Sequence, residues 1–379
     1  MNMTSNEKLT LYLLKSALWN TDADLSLFKK GTDWNDILRI AEKQGTVSLV
    51  ASAIRRLEDL GLREDVLPND IINKCVTLQF SVIRVTNSVI PILYSVVQIL
   101  RENGMEPVLL KGQGVATYYL KPEFRYCGDI DLYLGQVQSE KAFNVLKEYK
   151  QFEDDSHGHE KHFNLKWEGL EVELHRSAID LVDTNDNKSL YQWTESELNS
   201  DHNRQIRIGE IDVTVPSELF DAIFVMQHLW WHFVNEGTGI RQFCDWTMCL
   251  YRVADRIDKK ELKSLLQQFG LLGVWNTFGH VAVEQLGLPR EKFPLYSGRK
   301  QFIGRKIASI AMEYGNFGHQ QYKHMVQDSV KEGVLVHKWK TAVYFNKLKF
   351  WCFLASPRAT WPVIKDYYKG LFSRYFGKP

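Results

Sequence analysis

The chain has 379 residues, with 47 Lys and Arg against 46 Asp and Glu, a net charge of +1. This balance removes any chain-wide electrostatic case for nucleic acid, which is not expected as a partner. The length allows two or three domains, and the composition is that of a soluble globular protein.

Met1-Asn-Met-Thr-Ser-Asn-Glu7 lacks a charged start and an apolar core, so no secretory leader is expected. The longest apolar window, Ser88 to Leu100, is too short for a membrane span and contains Pro91. Five scattered cysteines (Cys75, Cys127, Cys244, Cys249 and Cys352) suit reduced thiols in a cytoplasm better than a disulfide framework.

Residues 1–104 read as a helical N-terminal region. Leu9, Leu11, Leu13, Leu14 and Leu18 fall near a helical stripe, and Asp33 opens a second helix. A long apolar helix runs from Asn69 to Arg101, and Gly104 ends it. Residues 105–216 change pattern. Glu106 to Leu110 reads as a short buried strand, Gly112 to Leu120 as a helix, Gly128 to Leu134 as a strand and Ser139 to Tyr149 as a helix. His162–Trp167 and Leu170–His175 flank Glu168-Gly169, a hairpin signal. Arg204 to Val215 alternates around a Gly209-Glu210 turn. Pro216 closes this unit, and Ser217 caps the next helix. Residues 217–379 read as a helical C-terminal domain, with helices at 218–233, 241–256, 259–269 and 271–286 and more beyond Lys300.

The informative stretch is Val108-Leu-Leu-Lys-Gly-Gln-Gly114 followed by Arg125-Tyr-Cys-Gly-Asp-Ile-Asp-Leu-Tyr133. On a strand, Asp129 and Asp131 share one face while Ile130 and Leu132 share the other, facing a core. Two adjacent carboxylates repel unless a cation sits with them, and for all-oxygen sites that cation is most often Mg²⁺. A solvated strand edge is the bland alternative. Lys111-Gly-Gln-Gly114 follows a strand and opens the expected helix, where glycines and helix-start N–H groups could approach a phosphate. It is not a P-loop, because the lysine precedes the first glycine. A two-metal site needs about three carboxylates. Glu171 and Glu173 share a face of the Leu170–His175 strand, so either could supply the third.

Other clusters carry less. His157, His159 and His162 resemble a metal tract but read better as a solvated loop. His228 and His232 stand four apart on a helix, with Asp245, Cys244 and Cys249 nearby in sequence; the cysteine spacing is poor for zinc. These residues read as packing or as an acceptor pocket. From His337 to Pro379 the chain carries nine Lys and Arg (Lys338, Lys340, Lys347, Lys349, Arg358, Lys365, Lys369, Arg374 and Lys378) against Asp366, with many aromatics. That reads as a helical cap, with peripheral contact to a membrane surface or an anionic partner as the alternative.

Together, Leu110-Lys111-Gly112, Arg125 to Leu132 and Glu173-Leu174-His175 resemble the uncharacterised nucleotidyltransferases within the DNA polymerase β-like superfamily. The likeness is best over 105–180 and looser through His228, His232 and Asp245. Two departures stand out. Lys111-Gly112 replaces the superfamily's usual Gly-Ser, as in this branch, and Glu173 stands where Asp is commoner.

The resemblance implies an α+β fold: a polymerase β-like core, a small mixed sheet with helices, between helical N- and C-terminal regions. It implies an enzyme that moves a nucleoside monophosphate from an NTP to an acceptor hydroxyl. Asp129, Asp131 and Glu173 would bind two Mg²⁺ ions; Lys111, Gly112, Gly114 and Arg125 would hold the nucleotide. His175, His228, His232 and Asp245 would support the ligands or line the acceptor pocket. The acceptor stays open, with a small molecule or glycan precursor among the candidates. A non-catalytic nucleotide-binding or interaction module of the same fold is the competing expectation.

Overall fold

The computed structural model describes residues 3–149, 152–154, 162–180, 184–315 and 334–376; His157 and His159 lie outside them. The chain forms two compact units. One comprises 16–32 and 47–225, the other 1–15, 33–46 and 226–379. The boundaries follow packing rather than chain order, so the helical region 1–104 is divided between the units.

The first unit is built on a mixed sheet of seven strands: β1 (Val108–Leu109), β2 (Asp129–Tyr133), β3 (Phe152–Asp154), β4 (His162–Trp167), β5 (Leu170–His175), β6 (Arg204–Ile208) and β7 (Ile211–Val215). Their spatial order is β3-β4-β5-β2-β1-β7-β6. Strand β2 runs parallel to β5 and antiparallel to β1, which runs parallel to β7. The fold class is therefore α+β with a small mixed sheet. Both expected hairpins form. Glu168 and Gly169 both have positive φ, +50° and +83°, the backbone a two-residue hairpin turn requires. Gly209 turns β6 into β7 with φ +58°.

Alternation sorts the central strands. Ile130, Leu132, Val172 and Leu174 enter one apolar core with Phe163, Leu165 and Trp167 of β4. Two helices complete that core: Asn69–Glu102, through Val89, Leu93, Val96, Val97 and Leu100, and Gly135–Lys147, through Ala142, Phe143 and Leu146. By the two-residue period, Asp129, Asp131, Glu173 and His175 stand on the opposite face. The helix Asn185–Leu198 reaches that face, where Tyr133 Oη donates to Glu195 at 2.9 Å.

Two expectations need correction. The apolar window 88–100 belongs to the 34-residue helix Asn69–Glu102, with Pro91 inside it. This is the one helix among the described residues long and apolar enough to cross a membrane by length and composition. In this fold its C-terminal half lines the sheet's core. The helix expected over Gly112–Leu120 spans only Gln113–Ala116 and then breaks into turns. Thr117 Oγ1 donates to the Gly114 carbonyl at 2.6 Å and Pro122 follows shortly, so the helix does not propagate.

The second unit is helical. Its interior is aromatic, with Trp246, Trp275, Phe233, Phe243 and Phe278 fully buried. Gln44 stitches it, donating to the Ala311 and Met312 carbonyls and accepting from the Ile240 N–H. The C-terminal segment forms two helices, Val334–Ala355 and Pro357–Phe376. Leu348, Cys352 and Ala355 are buried there, and the Lys349 ammonium lies 4.3 Å from the Tyr367 ring centroid. Trp361 and Phe350 remain exposed. The five cysteines are buried and none is in a disulfide.

Candidate active site on the polar face of the central strands

The parallel register of β2 and β5 sets Asp129 beside Glu171 and Asp131 beside Glu173. The two glutamates then diverge. Glu171 is exposed, whereas Glu173 turns toward the aspartates. The His175 ring closes the group. Its Nε2 lies 2.9 Å from Asp131 Oδ1 and 3.1 Å from Glu173 Oε2. Lys111 arrives from the end of β1, with Nζ 2.8 Å from Asp131 Oδ1. Asp131 is 1% exposed, and its second oxygen, Oδ2, is buried with no hydrogen-bond partner.

Gly112 makes the approach of Lys111 feasible. Its φ is +57°, and a Cβ there would meet the Asp129 carbonyl at 3.2 Å and Cys127 Sγ at 3.3 Å. Any other residue would be strained and crowded. Gly114 serves differently, since a Cβ would abut Leu109 and Val215, so its smallness is used in packing. The following helix has four residues, too few for the helix-dipole contribution expected from the sequence. Arg125 is buried and donates to the Gly112 carbonyl at 3.2 Å, bracing the loop from below.

The electrostatics divide the acids. Burial and the neighbouring Asp131 hold the Asp129 carboxyl above the usual carboxylate range, against the pull of Lys111 and Arg125. Burial acts upward on Asp131 too, but Lys111 and His175 outweigh it and hold that carboxylate well below the range. Glu173 behaves likewise: burial raises it, and the His175 hydrogen bond brings it net below. Burial works against the charged forms of Lys111 and His175, yet the surrounding carboxylates keep both above their ordinary values. The face is thus a cluster of acids threaded with cations.

One neighbour, His162, departs from the solvated His-rich loop expected for it and lies on strand β4. His162 of β4 pairs directly with His175 across the hairpin, with ring centroids 5.2 Å apart. Its Nδ1 is 4.0 Å from Glu173 Oε2. The signal lies in the register. A turn at 168–169 places Trp167 opposite Leu170, and counting outward puts His162 opposite His175.

The remaining candidates lie in the helical unit. His228 and His232 stack edge to face with centroids 4.4 Å apart, and Asp245 is buried 3.6 Å from Arg241.

The fold and this acidic face define an α+β protein with paired carboxylates on one face of two central strands. The profile of the uncharacterised nucleotidyltransferase family matches residues 30–286, more than half of the chain, and the chain belongs to that family. Membership supports nucleotidyl transfer as the general class of chemistry. No curated protein and no solved structure matches it.

Proposed function

We propose that this chain is a Mg²⁺-dependent nucleotidyltransferase with a polymerase β-like core between helical flanks. One observation carries the reading. Asp129, Asp131 and Glu173 gather on one face of two parallel strands, and Asp131 Oδ2 is buried and unpartnered. An oxygen-only donor set with an orphaned carboxylate oxygen fits a hard divalent cation. Asp129, Asp131 and Glu173 are the residues that would hold it. Bound Mg²⁺ would neutralise triphosphate charge and lower the pKa of an acceptor hydroxyl.

The chain's own residues do the rest. Lys111 is a point charge beside the Gly112 turn, suited to phosphate oxygens once it leaves Asp131. Arg125 fixes the loop that carries it. His175 holds Asp131 and Glu173 in one orientation. In the reaction the acceptor oxygen bonds to the α-phosphorus, the bond to the bridging oxygen of the β-phosphate breaks, and pyrophosphate leaves. The hydroxyl proton is released.

A second reading has its own support. Lys111 and His175 already sit on Asp131 Oδ1, so the cluster is internally compensated. That is the expected state of a non-catalytic nucleotide-binding or interaction module. Pyrophosphate release from each NTP in the presence of Mg²⁺, with a panel of small hydroxylated acceptors, separates the two. Release that is lost in Asp129→Asn supports transfer. NTP binding by calorimetry, unaffected by Mg²⁺ and without release, would favour the binding module.

A further inference from the structure

We infer that the same face holds an imidazole-bearing cation site, His162–Glu173–His175, selective for a first-row transition ion over Mg²⁺. The site goes beyond the transfer reading, with which it shares Glu173 and His175. Three observations converge on it.

The first is geometry. The donor atoms of the three side chains all lie within 4.8 Å of one another. Atoms bound about 2.1 Å from one ion are separated by roughly 3.0–4.2 Å, from adjacent to opposite positions. His175 Nε2 and Glu173 Oε2 are 3.1 Å apart, and His162 Nδ1 and Glu173 Oε2 are 4.0 Å apart. The set therefore needs little rearrangement.

The second is construction. His162 and His175 are directly opposed on a two-stranded hairpin, and Glu173 shares their face, so three rigid strand positions converge without any loop. His175 is itself held by Asp131 of β2, and Glu173 by His175. The third is polar accounting: His175 Nδ1 is buried and without a partner. A buried orphan on a ring of the site calls for a ligand the protein does not itself provide.

Ligand chemistry then chooses the ion. Two imidazoles and one carboxylate suit Mn²⁺, Co²⁺ or Zn²⁺, while Mg²⁺ prefers oxygen and resists dehydration. The site would sit beside the proposed Mg²⁺ positions and compete with them for Glu173.

The full-length protein is titrated with Mn²⁺ and with Mg²⁺. Bound Mn²⁺ is examined by pulsed electron paramagnetic resonance for modulation from directly coordinated imidazole nitrogen. The expected result is nitrogen modulation, and a Mn²⁺-to-Mg²⁺ affinity ratio that falls by about tenfold or more in His162→Ala. His162→Asn, which keeps a polar side chain on the strand, should give the same loss if folding of the alanine variant is impaired. Absence of nitrogen modulation, or an unchanged ratio in both variants, overturns the site. Pyrophosphate release with Mg²⁺ alone is the separate arm. If it persists without nitrogen modulation, the imidazole site fails and the transfer reading stands. Nitrogen coordination with no release from any NTP supports the site while sinking the transfer reading.

Discussion

The two faces of the β2–β5 pair are chemically opposite. On one, Ile130, Leu132, Val172 and Leu174 are each at most 1% exposed and pack against two helices. On the other, Asp131 and His175 are almost as buried, and Glu173 is little exposed. The apolar face stabilises the fold by roughly 1.5–3 kcal/mol per large side chain. The polar face does the reverse: each buried charge loses hydration, and mutual pairing restores only part of it. Replacing the whole paired set by apolar residues of like volume would be no worse for stability, whereas removing one partner strands the charge of the others. Five ionisable groups held there at that price point to chemistry. Mutations on the apolar face should therefore lose the fold, and mutations on the polar face should lose activity.

The sharpest break is between Asp131 and its neighbour Leu132. Asp131→Asn should lower transfer by several kcal/mol of barrier, on the order of 10³-fold, with the fold retained. Leu132→Ala should destabilise by about 2–5 kcal/mol through the cavity it leaves. Pyrophosphate release and thermal unfolding, measured on both variants, check the contrast. Comparable loss of stability with undiminished turnover in Asp131→Asn would make the polar face structural.

The next contrast lies within one strand. Glu173→Gln should reduce turnover by about 10²-fold, as expected for a weakened ligand set, while Glu171→Gln should change it less than about threefold. Steady-state rates on both decide it; equal effects would undo the assignment of the third acid to Glu173. Lys111→Ala follows with a smaller effect. NTP affinity should fall by about tenfold, the loss of one charge-assisted contact. Calorimetric titration with NTP is the check, and an unchanged Kd would leave Lys111 as Asp131's counter-ion alone.

Much of this polar face is legible in the amino-acid sequence. Asp129 and Asp131 declare themselves because a period of two leaves few interpretations of acid-apolar-acid in an apolar run. The hairpins are legible because Glu168-Gly169 and Gly209-Glu210 are local signals. What the sequence hides depends on long-range pairing. No local pattern says that β1 lies antiparallel to β2, which is what brings Lys111 onto Asp131. The helix Asn185–Leu198 is hidden too. Its sequence is largely polar, and its start rests on Thr184 accepting from the Asn187 N–H. His162 is the intermediate case. Its partner is calculable from the turn, yet its place in a His-rich stretch suggests a solvated loop.

A carboxylate away from this face sharpens the contrast, because it is buried beside an arginine and a tyrosine rather than among other acids and histidine. Asp221, on the helix Glu218–Asn235, accepts from Tyr118 Oη and from Arg204 Nη2 at 2.8 Å. Burial pushes its carboxyl up, Arg204 and Tyr118 oppose this, and the net position is about 7. In the unfolded chain the group returns to about 3.8. Between those values the folded protein holds a proton that the unfolded chain has lost, so this group's contribution to stability declines as pH rises. It is fully present below the unfolded value and gone above the folded one. Asp221→Asn removes the titration while keeping the shape. Wild type should therefore lose stability relative to Asp221→Asn between pH 5 and pH 8, seen as a drop of a few degrees in the Tm difference, at about 2–4 °C per kcal/mol. Parallel thermal melts of the two proteins across that range check it. A Tm difference that is flat, or that grows with pH, would mean that Arg204 keeps Asp221 ionised throughout. The buried acid would then behave like Asp131 rather than as its contrast.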